Sequence, residues 1–192
     1  LGTGVRVVST SRLFAQGDLK QTGNQLDVAI EGNGFFVVQQ PDGTPAYTRA
    51  GTLTTDGDGR IVTTDGLPLD PPVTIPSNAV SVSISSTGRV SAVVSGSEAP
   101  AEVGDITIAT FVHPGGLRAL GHNLFESTPA SGDAQLGTPG EDGRGTLMQG
   151  AVETANVDIV EEMIGMISAQ RAYEINSKVI TAADQMLQAA SQ

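Results

Sequence analysis

The chain has no cysteine and no tryptophan. The first absence removes disulfides, thiolate metal sites and cysteine nucleophiles together, and it suits work outside the cytosol without redox help. Aromatic residues make up only 4%, so a packed core has to be built from Val, Ile, Leu and Ala. Cations are scarce: 10 Lys and Arg stand against 21 Asp and Glu, a formal net charge of −11. Phosphate backbones and anionic lipid surfaces repel such a protein, so neither nucleic acid nor a membrane surface is an expected partner. No apolar run approaches the ~18 residues that a membrane-spanning helix needs, and no direct membrane insertion is expected. The chain opens Leu1-Gly2-Thr3-Gly4, without Met and without a basic-then-apolar leader. The expectation is that a segment precedes Leu1.

What is present falls into two compositional regions. Up to Gly150 the chain is rich in glycine and proline, as short strands joined by tight turns require. Leu26, Val28 and Ile30 alternate with Asp27 and Ala29, the period of two that buries one strand face. Phe35 to Val38 continue as a strand after Gly32-Asn33-Gly34. Asp42-Gly43, Asp56-Gly57-Asp58-Gly59 and Asp65-Gly66 read as turns, because Gly allows positive φ without steric cost. Pro71 to Pro76 read as a stiff extended link. Val80, Val82 and Ile84 turn at Thr87-Gly88 and return through Val90, Ala92 and Val94, the clearest hairpin. Ile106, Ile108 and Thr110 read as a further strand, and residues 127 to 146 as a loop without periodicity. The first 20 residues read as an extended linker.

After Gly150 helix formers dominate, and Gly165 is the only glycine. Ile159, Met166, Tyr173, Ile180 and Leu187 recur every seven residues, a heptad seam. Val160, Met163 and Ile167 flank it early; Ala172, Val179, Ala183 and Met186 flank it late. The spacing predicts one helix from about 152 to 190, about 40 residues and about 60 Å long. An apolar stripe of this kind needs a partner helix, since each seam residue contributes roughly 1.5–3 kcal/mol only when buried. The expected fold is α+β overall: residues 1–20 a linker, 21–148 a mainly β outer domain, and 149–192 a segment carrying one long C-terminal coiled-coil helix.

Several short motifs weigh against catalysis or ligand binding. Asp56-Gly57-Asp58-Gly59 resembles the start of a calcium loop, but Arg60 and Leu67 occupy the fifth and twelfth positions, where oxygen ligands are needed. Gly32-Asn33-Gly34 lacks the third glycine and the following helix of a dinucleotide loop. His113 and His122 have no third ligand at zinc-like spacing. Nor does a Gly-x-Ser-x-Gly elbow support a nucleophilic serine. No cofactor, no metal and no enzymatic activity are expected. A monomeric extracellular β-domain that binds a ligand or carbohydrate stands as the alternative to self-assembly.

One run is more specific than any of these: Gln170-Arg171-Ala172-Tyr173-Glu174-Ile175-Asn176-Ser177-Lys178, followed by Asp184-Gln185-Met186-Leu187 and preceded by Gln149-Gly150-Ala151-Val152-Glu153-Thr154-Ala155-Asn156-Val157. With Asp27 to Val38, Tyr47-Thr48-Arg49-Ala50-Gly51 and Gly121-His122-Asn123-Leu124-Phe125, it resembles the axial proteins of the bacterial flagellum, rod and hook. The resemblance covers essentially the whole chain. It implies terminal helices packed into an inner tube around an export channel, with the β-domain outside, in a shaft that crosses the periplasm and carries torque. The implied partners are further copies of the chain in a helical homopolymer, the proximal rod proteins, the hook protein and the surrounding ring proteins. The helix residues expected at the assembly interface are Ile159, Met163, Met166, Ile167, Gln170, Arg171, Tyr173, Asn176, Ile180, Met186 and Leu187.

Overall fold

The computed structural model describes residues 12–96 and 99–190; the side chains of residue 184 and of residues 187–190 are outside the description. The chain divides into two compact units, Leu1–Ala155 and Asn156–Gln192. The first is mainly β, and the second carries one long helix.

The β unit runs β1 (Leu19–Gln21), β2 (Val28–Glu31), β3 (Phe35–Gln39), β4 (Pro45–Thr48), β5 (Leu53–Thr55), β6 (Ile61–Thr63), β7 (Ala79–Ile84), β8 (Arg89–Val94), β9 (Ala101–Asp105), β10 (Ile108–Thr110), β11 (Arg118–Gly121), β12 (Leu124–Glu126), β13 (Gln135–Gly137), β14 (Thr146–Gln149) and β15 (Ala151–Glu153). The largest sheet has the order β11-β12-β4-β3-β10-β13. A second holds β7-β8-β9, and β1-β15, β2-β14 and β5-β6 form pairs. The pairings are antiparallel throughout.

β3 lies inside the large sheet and is buried on both faces, which is why its sequence is a continuous apolar run rather than an alternation. Phe36 and Val38 enter one core with Val28, Ile30, Ile61, Val90 and Ile108. Phe35 and Val37 enter the other with Tyr47, Phe111, Leu117 and Phe125, and Phe14 packs on its rim. The rings of this second core meet edge to face: Tyr47–Phe111 at 4.8 Å between centroids, Phe14–Phe125 at 5.1 Å and Phe14–Phe35 at 5.4 Å. One core is thus aliphatic apart from Phe36 and the other is built around aromatic rings, so the expectation of a core made only of Val, Ile, Leu and Ala holds for neither.

The Thr87-Gly88 hairpin is found as read, with Ile84 opposite Val90 and Gly88 at φ 89°. Three expectations differ. Val28, Ala29 and Ile30 are all buried, so β2 does not alternate. The proline-rich segment is no free link: Val73 and Ile75 lie in the aliphatic core, and Val73 O accepts the Ile61 N–H at 2.9 Å. The 127–146 loop contains β13, a three-residue strand on the sheet edge, too short to give a period.

The helix α1 (Ile159–Ala190) has 32 residues, about 48 Å, and begins later than expected. Ala151–Glu153 pairs with Gln21–Leu19 instead. Asp158 then starts the helix: its Oδ1 accepts the Val160 N–H at 2.8 Å and the Glu161 N–H at 3.4 Å, satisfying first-turn donors that have no partner within the helix. Glu161 and Glu162 in the first turn suit the positive end of the helix dipole.

Candidate assembly surface and its root

Every described side chain of α1 is exposed, including the large apolar ones. Tyr173 is 78% exposed, Ile159 71% and Met166 61%. Exposed contiguous apolar area of this kind is what marks interaction sites in general.

The arrangement is not one strip. At about 100° per residue, Ile159, Val160, Met163, Ile164 and Ile167 share one face of the first half. Glu161, Gly165 and Ser168 lie opposite them. Beyond Gln170 the faces exchange. Glu174, Lys178 and Thr181 now continue the first face, with Lys178 Nζ donating to Glu174 Oε1 at 2.6 Å. Ala172, Val179, Ala183 and Met186 take the opposite side, roughly 180° around. Met166, Tyr173 and Ile180 lie along the border that the two faces share. A heptad stripe would turn by only about 80° over this length, so the flanking residues, not the seam, decide the geometry. Among the residues expected at the interface, Met163, Ile167 and Ile159 belong to the first face and Met186 to the second. Gln170 and Arg171 fall within the angular span of the first face, and Asn176 falls beside the second. The side chain of Leu187 lies outside the described residues.

The β1–β15 ribbon is built from the first and last strands of the β unit in sequence. The backbones approach closely: a Cβ on Gly17 would sit 2.0 Å from Thr154 O, so only glycine fits. Thr154 donates its N–H to Asp18 O at 2.9 Å and its Oγ1 to the same oxygen at 3.0 Å. Glu153 reaches back from β15. Its Oε1 accepts the Gly17 N–H and its Oε2 accepts Arg49 Nε, both at 2.9 Å. Arg49 also donates to Gly32 O at 3.2 and 3.3 Å and to Gly34 O at 3.3 Å, and its guanidinium lies 5.9 Å from the Phe35 ring centre. Gln16 completes the cluster, donating Nε2 to Ile30 O at 3.1 Å and accepting the Gly32 N–H at 2.9 Å. The Arg49 and Glu153 side chains are 15% and 11% exposed. Sequence reasoning placed Arg49 and Glu153 only within resembling runs. The available signal was weak: a cation directly after an apolar strand in an acidic chain.

The motifs set aside above have ordinary roles. Asp56 Oδ1 accepts the N–H groups of Asp58 and Arg60, and its Oδ2 accepts Arg60 Nε at 2.8 Å, so the carboxylate closes its own turn. His122 and Asn123 form the β11–β12 turn with φ of 50° and 59°. Among the described residues no three His, Asp or Glu side chains gather as a metal site, and no helix is long and apolar enough to cross a membrane.

Comparison with known proteins covers both units. Residues 29–92 match the family of the flagellar hook protein FlgE/F/G D1 domain. Residues 148–192 match the family of the flagellar basal body rod FlgEFG protein C-terminal region. The chain is 50% identical over 192 residues to the flagellar basal-body rod protein FlgG of Buchnera aphidicola subsp. Acyrthosiphon pisum, covering all of this chain and 74% of the relative. It is 49% identical over 192 residues to the protein of the same name from Caulobacter vibrioides, covering 73% of it. To the flagellar hook protein FlgE of Caulobacter vibrioides it is 37% identical over 111 residues, 58% of this chain and 19% of that one.

Proposed function

This chain belongs to the family of flagellar basal-body rod proteins, structural axial components of the flagellum, and on that premise we propose that it is a subunit of the distal rod that polymerises through α1. The observation that carries the proposal is the exposure of the apolar residues on α1. Each buries on assembly, at roughly 1.5–3 kcal/mol per large side chain, and supplies the packing from which most helical stability comes. The subunit therefore stays monomeric until it meets the growing end. Ile159, Met163, Met166, Ile167, Tyr173, Ile180, Met186 and Leu187 supply the apolar contacts, and Gln170, Arg171 and Asn176 the polar ones. The exchange of faces near Gln170 adds a detail: one straight neighbour cannot cover both halves, so the first half meets one helix of the assembly and the second half another.

Similarity to rod proteins over the whole of this chain, against the small share of the hook protein that it covers, favours the rod over the hook. The opening runs Gly2-Thr3-Gly4-Val5-Arg6 and Leu13 to Thr22 favour the distal rod over the proximal rod proteins. The helices line the export channel, the β unit lies outside, and the tube carries torque across the periplasm after export from the cytoplasm. Its neighbours are copies of itself, the proximal rod proteins, the hook protein and the surrounding rings. The role is structural, with no reaction catalysed. Electron microscopy of purified chain at rising concentration tests this reading. Ordered tubes or protofilaments support it, and monomers at every concentration oppose it.

A further inference from the structure

The Arg49–Glu153 pair is unusual in its position. The other ion pairs described here each have a partner more than a third exposed, or close a local turn. This one is mostly covered on both sides, spans 104 residues and sits where β15 ends, just before the helical unit begins at Asn156 in sequence. The β1–β15 ribbon has few other side-chain ties to the β unit. Leu19, Lys20 and Gln21 are half-buried or exposed, and a three-residue pairing is weak on its own. At one end Ala151 is buried and Gly150 is held by backbone bonds with Asp27, Thr22 and Gly23; at the other end, around Gly17 and Glu153, side chains must tie the ribbon in.

Three do so. Gln16 grips the backbone of Ile30 and Gly32 with both atoms of its amide. Glu153 holds Gly17 N–H with one oxygen and Arg49 with the other. Arg49, just past the end of β4, is itself anchored to the carbonyls of Gly32 and Gly34. A guanidinium can do this because its donors form a rigid fork; a lysine ammonium is a point charge on a flexible stem. Charge-assisted bonds that are mostly out of water are also the ones that hold geometry best.

We infer that Arg49 and Glu153 form a clasp that pins the β1–β15 ribbon to the rest of the β unit and makes this margin of the unit, which ends just before Asn156 in sequence, stiff enough to carry force. The force-carrying role rests on the rod reading; the pinning stands without it. Arg49 and Glu153 are thus positioning residues for the transmission of torque, and the helix surface itself is untouched by them.

The test uses the full chain and two variants, Glu153→Gln and Arg49→Lys. Amide hydrogen exchange on the soluble protein is expected to quicken about tenfold at residues 17–21 and 151–154 and to stay unchanged in β3 and β4. In cells carrying either variant, rods are expected in normal number, with swimming near normal in dilute medium and slowed severalfold under viscous load. Unchanged exchange in the ribbon overturns the clasp. So does faster exchange spread evenly over the β unit, which would make the pair a general stabiliser. Local quickening with wild-type speed under load overturns the force-carrying role. If Glu153→Gln cells build no rods, Arg49→Lys decides by the same criterion; rods missing from both strains overturn the inference, because a joint that only stiffens does not stop assembly. A wild-type chain that never polymerises would sink the rod reading instead, and leave the exchange result standing.

Discussion

Phe36 has no exposed surface and sits among Val28, Ile30 and Ile108 on the strand that feeds both cores. Truncation there leaves a cavity that β-sheet neighbours cannot collapse into. Phe36→Ala is expected to lower the unfolding free energy of the β unit by about 3–5 kcal/mol, measured by urea titration. Tyr47 shows a different residue-level effect. Burial raises its phenol above the usual value of 10.0, partly opposed by a hydrogen bond with Ser127. The folded state therefore favours the neutral form. Its contribution is fully present below pH 10 and is lost as pH rises through the higher folded value. Tyr47→Phe, which cannot ionise, should flatten the alkaline limb of the stability–pH curve; an unchanged limb would show that another group governs it. At this scale the apolar core residues were legible from pattern, because strand runs and turn glycines are local signals. The Arg49–Glu153 contact was not. Two opposite charges so far apart carry no period, and only the fold brings them together.

Elements were legible where the signal was local and long. The Val80–Val94 hairpin follows from alternation around Thr87-Gly88, and the helix from its composition. The start of α1 was misread by seven residues because Ala151–Glu153 has no breaker in it; only pairing with Leu19–Gln21, distant in sequence, makes it a strand. β13 escaped for the same reason, as an edge strand held by β10 alone. The cap at Asp158 gives a direct test. Asp158→Ala is expected to cost about 1 kcal/mol of helix stability, read as reduced helical signal by circular dichroism. The two faces of α1 give another. Met163→Glu and Val179→Glu should each weaken polymerisation strongly, judged by the concentration at which tubes first form. Glu174→Asp should leave it near wild type, and Tyr173→Asp, on the shared border, should be more damaging than Glu174→Asp. If only one of the two faces is sensitive, then a single neighbour covers the helix.

For the molecule as a whole, the α+β class and the division into a strand-rich body and a helical tail were readable from the compositional switch near Gly150 alone. The size of the β unit, its two cores and the ribbon at its margin were not, since they depend on contacts between distant strands. The division predicts that a chain ending at Ala155 keeps a cooperative unfolding transition and loses polymerisation; tubes from that shortened chain would remove α1 from the mechanism. The most direct measurement compares amide exchange across residues 159–183 in the dissolved subunit and in the assembled polymer. Faster exchange in the subunit, where the helix has no packed neighbour, falling by orders of magnitude in the polymer, is what burial of the helix on assembly requires. Equal exchange in both states would mean that those side chains stay uncovered, and that the rod is held together by some other surface.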